Sequence, residues 1–223
     1  MRKVRVHKHN AMKGLNAMVP AVIVLGFLAC EPPVTFTEPQ PANTDNLQRF
    51  PHRLQGEYLS LADSSTLSIG DKLIRRSYDF QDTMALDKLD STYRLEGDTL
   101  IDLATGQRAM VSHLGDSLVV RAHFMDTLFA MNYDNVVRKM KGYYFLNTRH
   151  GHDGWEVEKL RLAKGRFTVG KISTKQDLDT LKAITESPVD TIPPYRITAT
   201  KRQFRKFVKA DGFSDNEIFI RQR

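Results

Sequence analysis

A Gly-Asp pair that occurs three times, at Gly70-Asp71, Gly97-Asp98 and Gly115-Asp116, restricts the fold of this sequence more than any other feature. Glycine tolerates positive φ and aspartate accepts hydrogen bonds from nearby backbone amides, so each pair predicts a tight turn between two strands. One residue after each pair come two apolar residues: Leu73-Ile74, Leu100-Ile101 and Leu118-Val119. The glycines are 27 and then 18 residues apart, which is too irregular for a solenoid and favours local antiparallel hairpins.

Two more hairpins are predicted in the middle of the chain. The segment WEVEKLRLAKGRFTVGKI alternates on both sides of Lys164-Gly165, and its first arm changes phase between Val157 and Leu160, which predicts a β-bulge. The run KGYYFLNTR precedes the first strand of this hairpin and is joined to it through HGHDG, which predicts the second hairpin. Residues 50–223 are therefore expected to form a β-rich α+β domain, in which an antiparallel meander stays an open sheet or closes into a barrel.

Two short helices are predicted from about residue 174 onwards. In STKQDLDTLKAITES, Ser173 and Gln176 have the spacing of a capping box, and an apolar stripe follows at Leu178, Leu181 and Ile184. In TATKRQFRKFVKADGF, Thr200 and Gln203 have the same spacing, and the stripe contains Phe204, Phe207 and Val208. Gly212 is expected to cap this second helix, and the run EIFIRQR is expected to form a final strand.

The N-terminus has the organisation of an export signal over residues 1–29. Residues 1–13 are cationic, and Ala17 to Ala29 form an uncharged apolar run that is too short for a comfortable membrane span. The run ends at Phe27-Leu28-Ala29-Cys30, which contains the only cysteine in the sequence. These four residues resemble the lipobox of bacterial lipoproteins. The resemblance implies that Cys30 receives a diacylglycerol group and becomes the first residue after cleavage.

Lipidation at Cys30 would attach the chain to a bacterial membrane, and we expect the periplasmic side of the outer membrane. Residues 30–49 are rich in proline and polar residues, which predicts an extended tether between the anchor and the folded domain. An ordered arm packed on the domain is the alternative, because Val34 and Phe36 alternate with polar residues.

The charge of the whole chain, formally +7, would suggest an acidic partner such as nucleic acid. Residues 1–29 hold five of the basic residues and no acidic one, so the rest has 28 basic residues against 26 acidic ones. A nucleic-acid partner is therefore not expected. The basic residues around the Phe204 stripe are interpreted as the solvated face of an amphipathic helix, with contact to anionic lipid as the alternative: Lys201, Arg202, Arg205, Lys206 and Lys209.

A weak metal-site candidate consists of His150, His152 and Asp153. Glycines flank these residues, and Asp153-Gly154 is typical of a hairpin turn, so the turn is the preferred interpretation. The sequence has no HExxH motif, nucleophile elbow, phosphate loop or dinucleotide fingerprint. We therefore predict neither an enzyme nor a resident cofactor.

Two weaker resemblances are also present in the sequence. The stretch LQGEYLSL, with Gly56 and Tyr58, resembles the opening strand of lipocalin-like barrels, which implies a closed barrel around a small apolar cavity. The phrase FRKFVKADGF resembles uncharacterised exported lipoproteins of Gram-negative bacteria. Our first hypothesis is a non-enzymatic interaction module that binds an envelope protein, and the alternative is a lipocalin-like carrier of an apolar small molecule. A filled core with an exposed apolar patch would favour the interaction module.

Overall fold

The computed structural model describes residues 33–151, 154–186 and 193–222. These residues form two α-helices, α1 (Lys175–Thr185) and α2 (Lys201–Lys209), and one 14-stranded sheet. The strands are β1 (Val34–Phe36), β2 (Gly56–Ser60), β3 (Thr66–Ile69), β4 (Leu73–Ala85), β5 (Tyr93–Glu96), β6 (Thr99–Asp102), β7 (Arg108–Leu114), β8 (Ser117–Ala130), β9 (Asn135–Met140), β10 (Tyr143–His150), β11 (Gly154–Ala163), β12 (Arg166–Lys171), β13 (Tyr195–Ile197) and β14 (Asp215–Arg221).

The β-rich α+β class that we predicted is confirmed. The strands follow the order β13-β1-β11-β12-β14-β2-β3-β4-β8-β7-β6-β5, and β10 and β9 branch from β11. All the pairings are antiparallel except that of β1 with β13, so the sheet is mixed rather than a pure meander. The sheet is not closed into a barrel, which corrects that part of the expectation.

Each of the predicted Gly-Asp turns joins two paired strands. Gly70-Asp71 connects β3 to β4, Gly97-Asp98 connects β5 to β6, and Gly115-Asp116 connects β7 to β8. Gly97 and Gly115 have φ of 59° and 58°, a region that glycine enters without the penalty of a side chain. The hairpins β10–β11 and β11–β12 are also present where the sequence predicted them.

The inner face of the sheet, defined by Tyr58, Leu160, Phe167 and Phe219, is buried against the segment 47–54. The Leu47 amide donates to the Val137 carbonyl of β9 at 2.8 Å, and the Phe50 amide donates to the Asp71 carbonyl at 2.8 Å. This segment thus bridges β9 and the β3–β4 turn. Aromatic side chains fill the space, where the lipocalin resemblance implied a cavity inside a closed barrel.

The outer face of the sheet carries the second core, under the two helices. Phe204 and Phe207 of α2 are fully buried, and the Phe204 ring lies 5.0 Å from that of Phe145 on β10.

Thr200 and Gln203 form the predicted capping box, whereas α1 is capped by Thr174, not by Ser173. The cap of α2 is Ala210 rather than Gly212. A Cβ at residue 212 would lie 2.4 Å from the Phe207 ring, so glycine is needed there for close packing.

The predicted tether is wrong from Val34 onwards, where the alternative of an ordered arm is correct. Val34 and Phe36 are buried in β1, which pairs with β13 and, at Phe36, with Trp155. Further along, the Gln40 amide donates to the Asn147 side chain in a buried contact. Apolar and amide side chains with partners across the domain therefore outweigh the local preference of the prolines for an extended, solvated chain.

The predicted bulge between Val157 and Leu160 is absent, because β11 pairs with β10 in continuous register from Gly154 to Leu160. Val157 packs in the outer core, whereas Leu160 packs in the inner core. The change of phase in the sequence therefore records the point at which burial of the strand passes from one face of the sheet to the other.

Candidate interaction surface

Residues 78–127 form an arm that continues two strands of the sheet away from the rest of the domain. β3 pairs with β4 only as far as Ser77, and β7 pairs with β8 only from Arg121 towards the turn. Between these points β4 and β8 pair with each other alone, as a two-stranded ribbon. We call residues 33–77 and 128–222 the body, and residues 78–127 the arm.

The distal end of the arm has its own small core. Four apolar side chains are buried there: Leu100, Val111, Leu118 and Val120. Met84, Leu86 and Leu89 pack against them from β4 and from the 3₁₀ turn Leu86–Lys88 that follows it. This core holds β5, β6 and β7 against the end of the ribbon, because a two-stranded ribbon without a packed face has little stability in water.

One face of the ribbon is apolar and half exposed. Tyr78 lies opposite Phe124, and Phe80 lies opposite Ala122, so these four side chains share a face. The rings of Tyr78 and Phe124 are 5.5 Å apart, yet 39% of Tyr78 and 42% of Phe80 remain exposed. The other face is polar apart from Met125, with Asp79 bonded to the imidazole of His123 at 2.8 Å. The ribbon is therefore amphipathic, and no element of the described residues covers its apolar side fully.

The backbone of the ribbon is also available to a partner. Among the described residues, β4 from Tyr78 to Ala85 pairs with no strand except β8, and β8 from Ala122 onwards pairs with none except β4. Open edges of this kind accept an additional strand. An exposed apolar face beside an open edge is the arrangement that strand-addition sites use.

The arm and the body differ strongly in charge. Residues 78–127 contain nine Asp and Glu residues but four Lys and Arg residues. Residues 33–77 and 128–223 contain 16 acidic residues and 24 basic ones. Asp82 and Asp126 lie on the same face of the ribbon as Phe80, and the Tyr78 hydroxyl donates to Asp126 at 2.9 Å. A basic partner segment would therefore be favoured at the arm.

A network of ion pairs secures the base of the ribbon. Arg76 donates to Asp63 at 2.9 Å and also pairs with Glu217 of β14. Burial tends to raise the pKa of Asp63, but hydrogen bonds from Ser65 and the charge of Arg76 outweigh it and hold the pKa well below its usual range. The register of β4 and β8 shifts between Ile74 and Arg75, so a bulge lies next to this network. The arm therefore leaves the body where a register shift and a network of ion pairs lie side by side.

The structure separates the residues that the sequence suggested as sites. Cys30, His152 and Asp153 lie outside the described residues. His150 ends β10 opposite Gly154, and no cluster of three or more metal-ligating side chains exists within the described ranges. In α2, the apolar stripe is buried and the basic residues are exposed, as an amphipathic surface helix requires.

A charged group near His150 was not predicted from the sequence. Lys171 pairs with Glu158 at 3.2 Å, and Glu156 lies two residues before Glu158 on the same face of β11. Burial, followed by repulsion from Glu158, raises the pKa of Glu156. These residues come together only because β11 and β12 are neighbours, so spacing in the sequence gives little signal for them.

The sequence did not lead us to predict the ribbon residues as a binding surface either, although their alternating apolar pattern is visible in it. SYDFQ and RAHFM each place two apolar residues at alternate positions, but no glycine or proline marks the ends of these runs. Long continuous strands produce such runs, whereas turn residues at both ends are what make a short strand recognisable in a sequence.

Comparisons with known proteins give no relative. No protein-family model, no curated protein and no solved structure matches this chain. Within the described part of the chain, no helix has the length and apolar character needed to cross a membrane.

Proposed function

We propose that this protein is a lipid-anchored bacterial envelope protein whose arm binds a partner protein. Attachment is through Cys30, on the periplasmic side of the outer membrane, after removal of residues 1–29. The cationic start, the apolar run and the lipobox-like Phe27 to Cys30 support the anchor. The half-exposed apolar face of the ribbon, between two open strand edges, is the observation that carries the interaction function.

The partner is an extended segment of another envelope protein that adds to the β4 edge from Tyr78 to Ala85. Main-chain hydrogen bonds would supply affinity, and alternate apolar side chains of the segment would contact Tyr78, Phe80 and Phe124. Because the arm as a whole carries nine carboxylates and four cations, and Asp82 and Asp126 lie on the same face as Phe80, Lys or Arg residues in the segment complement the arm. A protein that only binds such a segment needs no catalytic residue and no cofactor.

The carrier hypothesis loses its structural basis. It depended on a closed barrel around an apolar cavity, whereas the sheet is not closed and its inner face is filled by Tyr58, Phe167 and Phe219. Tyr58 also donates its hydroxyl to the Leu54 carbonyl at 2.7 Å, which fixes the ring inside the core. An apolar ligand would have to displace these side chains.

Photo-crosslinking in native envelopes tests the proposed surface. A benzoylphenylalanine replaces Phe80 in one variant and Thr83, on the opposite face of the same strand, in a matched control. We expect an adduct from position 80 alone, mapped by mass spectrometry to an apolar segment with Lys or Arg residues. Backbone amide exchange at 78–85 should slow when the identified segment binds. Equal adducts from both positions, or an adduct with lipid only, would contradict the proposal.

Mass spectrometry of the protein extracted from membranes tests the anchor separately. A mature N-terminus at Cys30 carrying a diacylglycerol group is expected, and Cys30→Ser should leave the precursor uncleaved and unmodified. An unmodified Cys30 in the wild-type protein would refute the anchor without affecting the binding surface. The two halves of the proposal can therefore fail independently.

A further inference from the structure

A groove with a volume of about 720 Å³ lies on the outer face of the sheet, beside the part that α2 covers. Residues of β11 and β12, Lys164 in the turn between them, and Asp211 just after α2 line the groove. Arg161 is opposite Thr168, and Ala163 is opposite Arg166, so these side chains project from the same face of two paired strands. The groove belongs to the body and shares no residue with the arm.

Four cations line this groove against one carboxylate. Arg161, Lys164 and Arg166 are exposed, and none of the three forms an ion pair with a carboxylate of the described residues. Lys159 is half buried and donates to the Gly212 carbonyl at 2.8 Å, with its ammonium 5.9 Å from the centre of the Tyr143 ring. Arg161 lies 5.7 Å from the centre of the Tyr143 ring and is diagonal to Arg166 on the paired strands, so two guanidinium groups without a carboxylate partner contribute to a positive field on one face.

We propose that this groove binds a small anion through its phosphoryl group. Arginine side chains bind phosphate oxygens with two parallel hydrogen bonds, and Arg161 and Arg166 line the groove together with the Thr168 hydroxyl, which can complete the set. The four cations and the carboxylate of Asp211 line one groove of about 720 Å³, so we assign the groove to a small anion rather than to an extended polyanion.

The phosphoryl group belongs either to a soluble phosphate compound or to a lipid headgroup. Ile220 lies beside Arg166, and Leu59 lies beside Ile220 on the same face. These two side chains are 38% and 36% exposed, so the acyl part of a lipid would find an apolar surface next to the cations. A soluble anion would use the cations alone, and the two sources are therefore separable by experiment.

The test titrates the full-length chain, in neutral maltoside detergent, with pyrophosphate and with soluble dihexanoyl-phosphatidylglycerol, followed by calorimetry. Arg161→Gln and Arg166→Gln should each weaken binding about ten-fold, because each removes a charge-assisted hydrogen-bonding group from an exposed position. Arg202→Gln, which removes an equal charge from α2 outside the groove, should leave binding unchanged. Asp211→Asn should tighten binding, since asparagine tolerates the positive φ of 58° at this residue.

Each outcome supports or overturns the site. Binding of either probe with this pattern of variants supports it, and the probe that binds identifies the source: pyrophosphate a soluble anion, phosphatidylglycerol a headgroup. Dihexanoyl-phosphatidylcholine measures any contribution of the acyl chains alone. Failure of both anionic probes to bind, or an equal loss in Arg202→Gln, overturns the proposal. Loss of the arm's partner would not affect this result, because the arm lies elsewhere.

Discussion

The body and the arm use the same sheet but bury very different amounts of apolar surface. The body has two cores, in which eight of the largest fully buried side chains are phenylalanines: Phe36, Phe50, Phe145, Phe167, Phe204, Phe207, Phe213 and Phe219. The arm buries five aliphatic side chains, four of which form one cluster, and its rings at Tyr78, Phe80 and Phe124 stay partly exposed. More apolar surface is buried in the body, and the arm leaves part of its aromatic surface exposed.

If the arm binds a partner as proposed, this difference separates the residues that stabilise the fold from those that recognise the partner. Burying an aromatic side chain contributes strongly to folding, whereas an aromatic ring left at the surface is available for a partner. Regions with few buried apolar contacts open locally at a lower free energy than the core. The arm is therefore expected to exchange its amides faster than the body and to become protected when its partner binds.

The largest effect is expected from Phe204→Ala, which empties the centre of the outer core. Phe204 contacts the rings of Phe36, Phe145 and Phe213, so removal of its ring should reduce the free energy of unfolding by about 4 kcal/mol. Denaturant unfolding followed by far-UV circular dichroism measures the loss. Arg205→Ala, at the exposed neighbouring position, is the control, and equal losses in both variants would contradict the assigned packing.

A smaller and local effect is expected from Leu118→Ala in the core of the arm. The free energy of opening the arm should fall by about 3 kcal/mol. This loss should be seen as faster amide exchange in β6, β7 and the distal half of β8. The amides of β10 should not change. Leu114→Ala, at a position that is 62% exposed, serves as the control. Cooperative loss of the body in Leu118→Ala would show that the two regions are one folding unit.

The next smaller effect on the free energy of unfolding, after those of Phe204→Ala and Leu118→Ala, is expected from Arg76→Gln at the junction of the two regions. Loss of the contacts with Asp63 and Glu217 should cost about 2 kcal/mol at pH 7. The pKa of Asp63 is lowered in the folded state, so its contribution is present above the ordinary pKa of aspartate and disappears as the pH falls below it.

Unfolding measured from pH 7 down to pH 2 checks this sign. The difference between the wild type and Arg76→Gln should shrink on acidification. Arg75→Gln, on the other face of β4, is the matched control and should show no such convergence. A constant difference across this range would assign the cost to packing rather than to charge.

The smallest effect on stability is expected from Phe80→Ser on the apolar face of the ribbon. This side chain is 42% exposed, so its loss should cost about 1 kcal/mol or less. Co-purification of the crosslinked partner should nevertheless fall at least ten-fold, whereas Thr83→Ser should retain it. A variant that keeps its partner would exclude Phe80 from the interface.

Local chemistry explains which parts of the fold could be predicted from the sequence. Turns such as Gly97-Asp98 and the capping box of Thr200 and Gln203 involve residues that are close in the chain, and the structure confirms them. The amphipathic pattern of α2 also identified its buried face correctly. The ordered N-terminal segment around Val34, which belongs to the body, was only the alternative prediction, because the residues it pairs with lie far away in the sequence.

The surfaces proposed for binding could not be predicted in the same way. Arg161 and Arg166 are five residues apart in a hairpin, and their common face depends on the register of β11 with β12. The exposure of Phe80 depends on the absence of a covering element, which a local pattern of apolar residues cannot reveal. In the sequence, Phe80 on the ribbon and Phe167 in the core have similar alternating neighbours.

The parallel pairing of β1 with β13 also sets the order in which this domain can complete its folding. Thr37 next to β1 bonds to Thr198, 161 residues later, and Gln40 bonds to Asn147, 107 residues later. Contacts between such distant residues close slowly, so β1, the first strand of the described residues, pairs with β13 only late in folding. For a chain that we propose is exported and anchored through Cys30, the domain therefore completes its folding only when nearly all of its residues are available to pair.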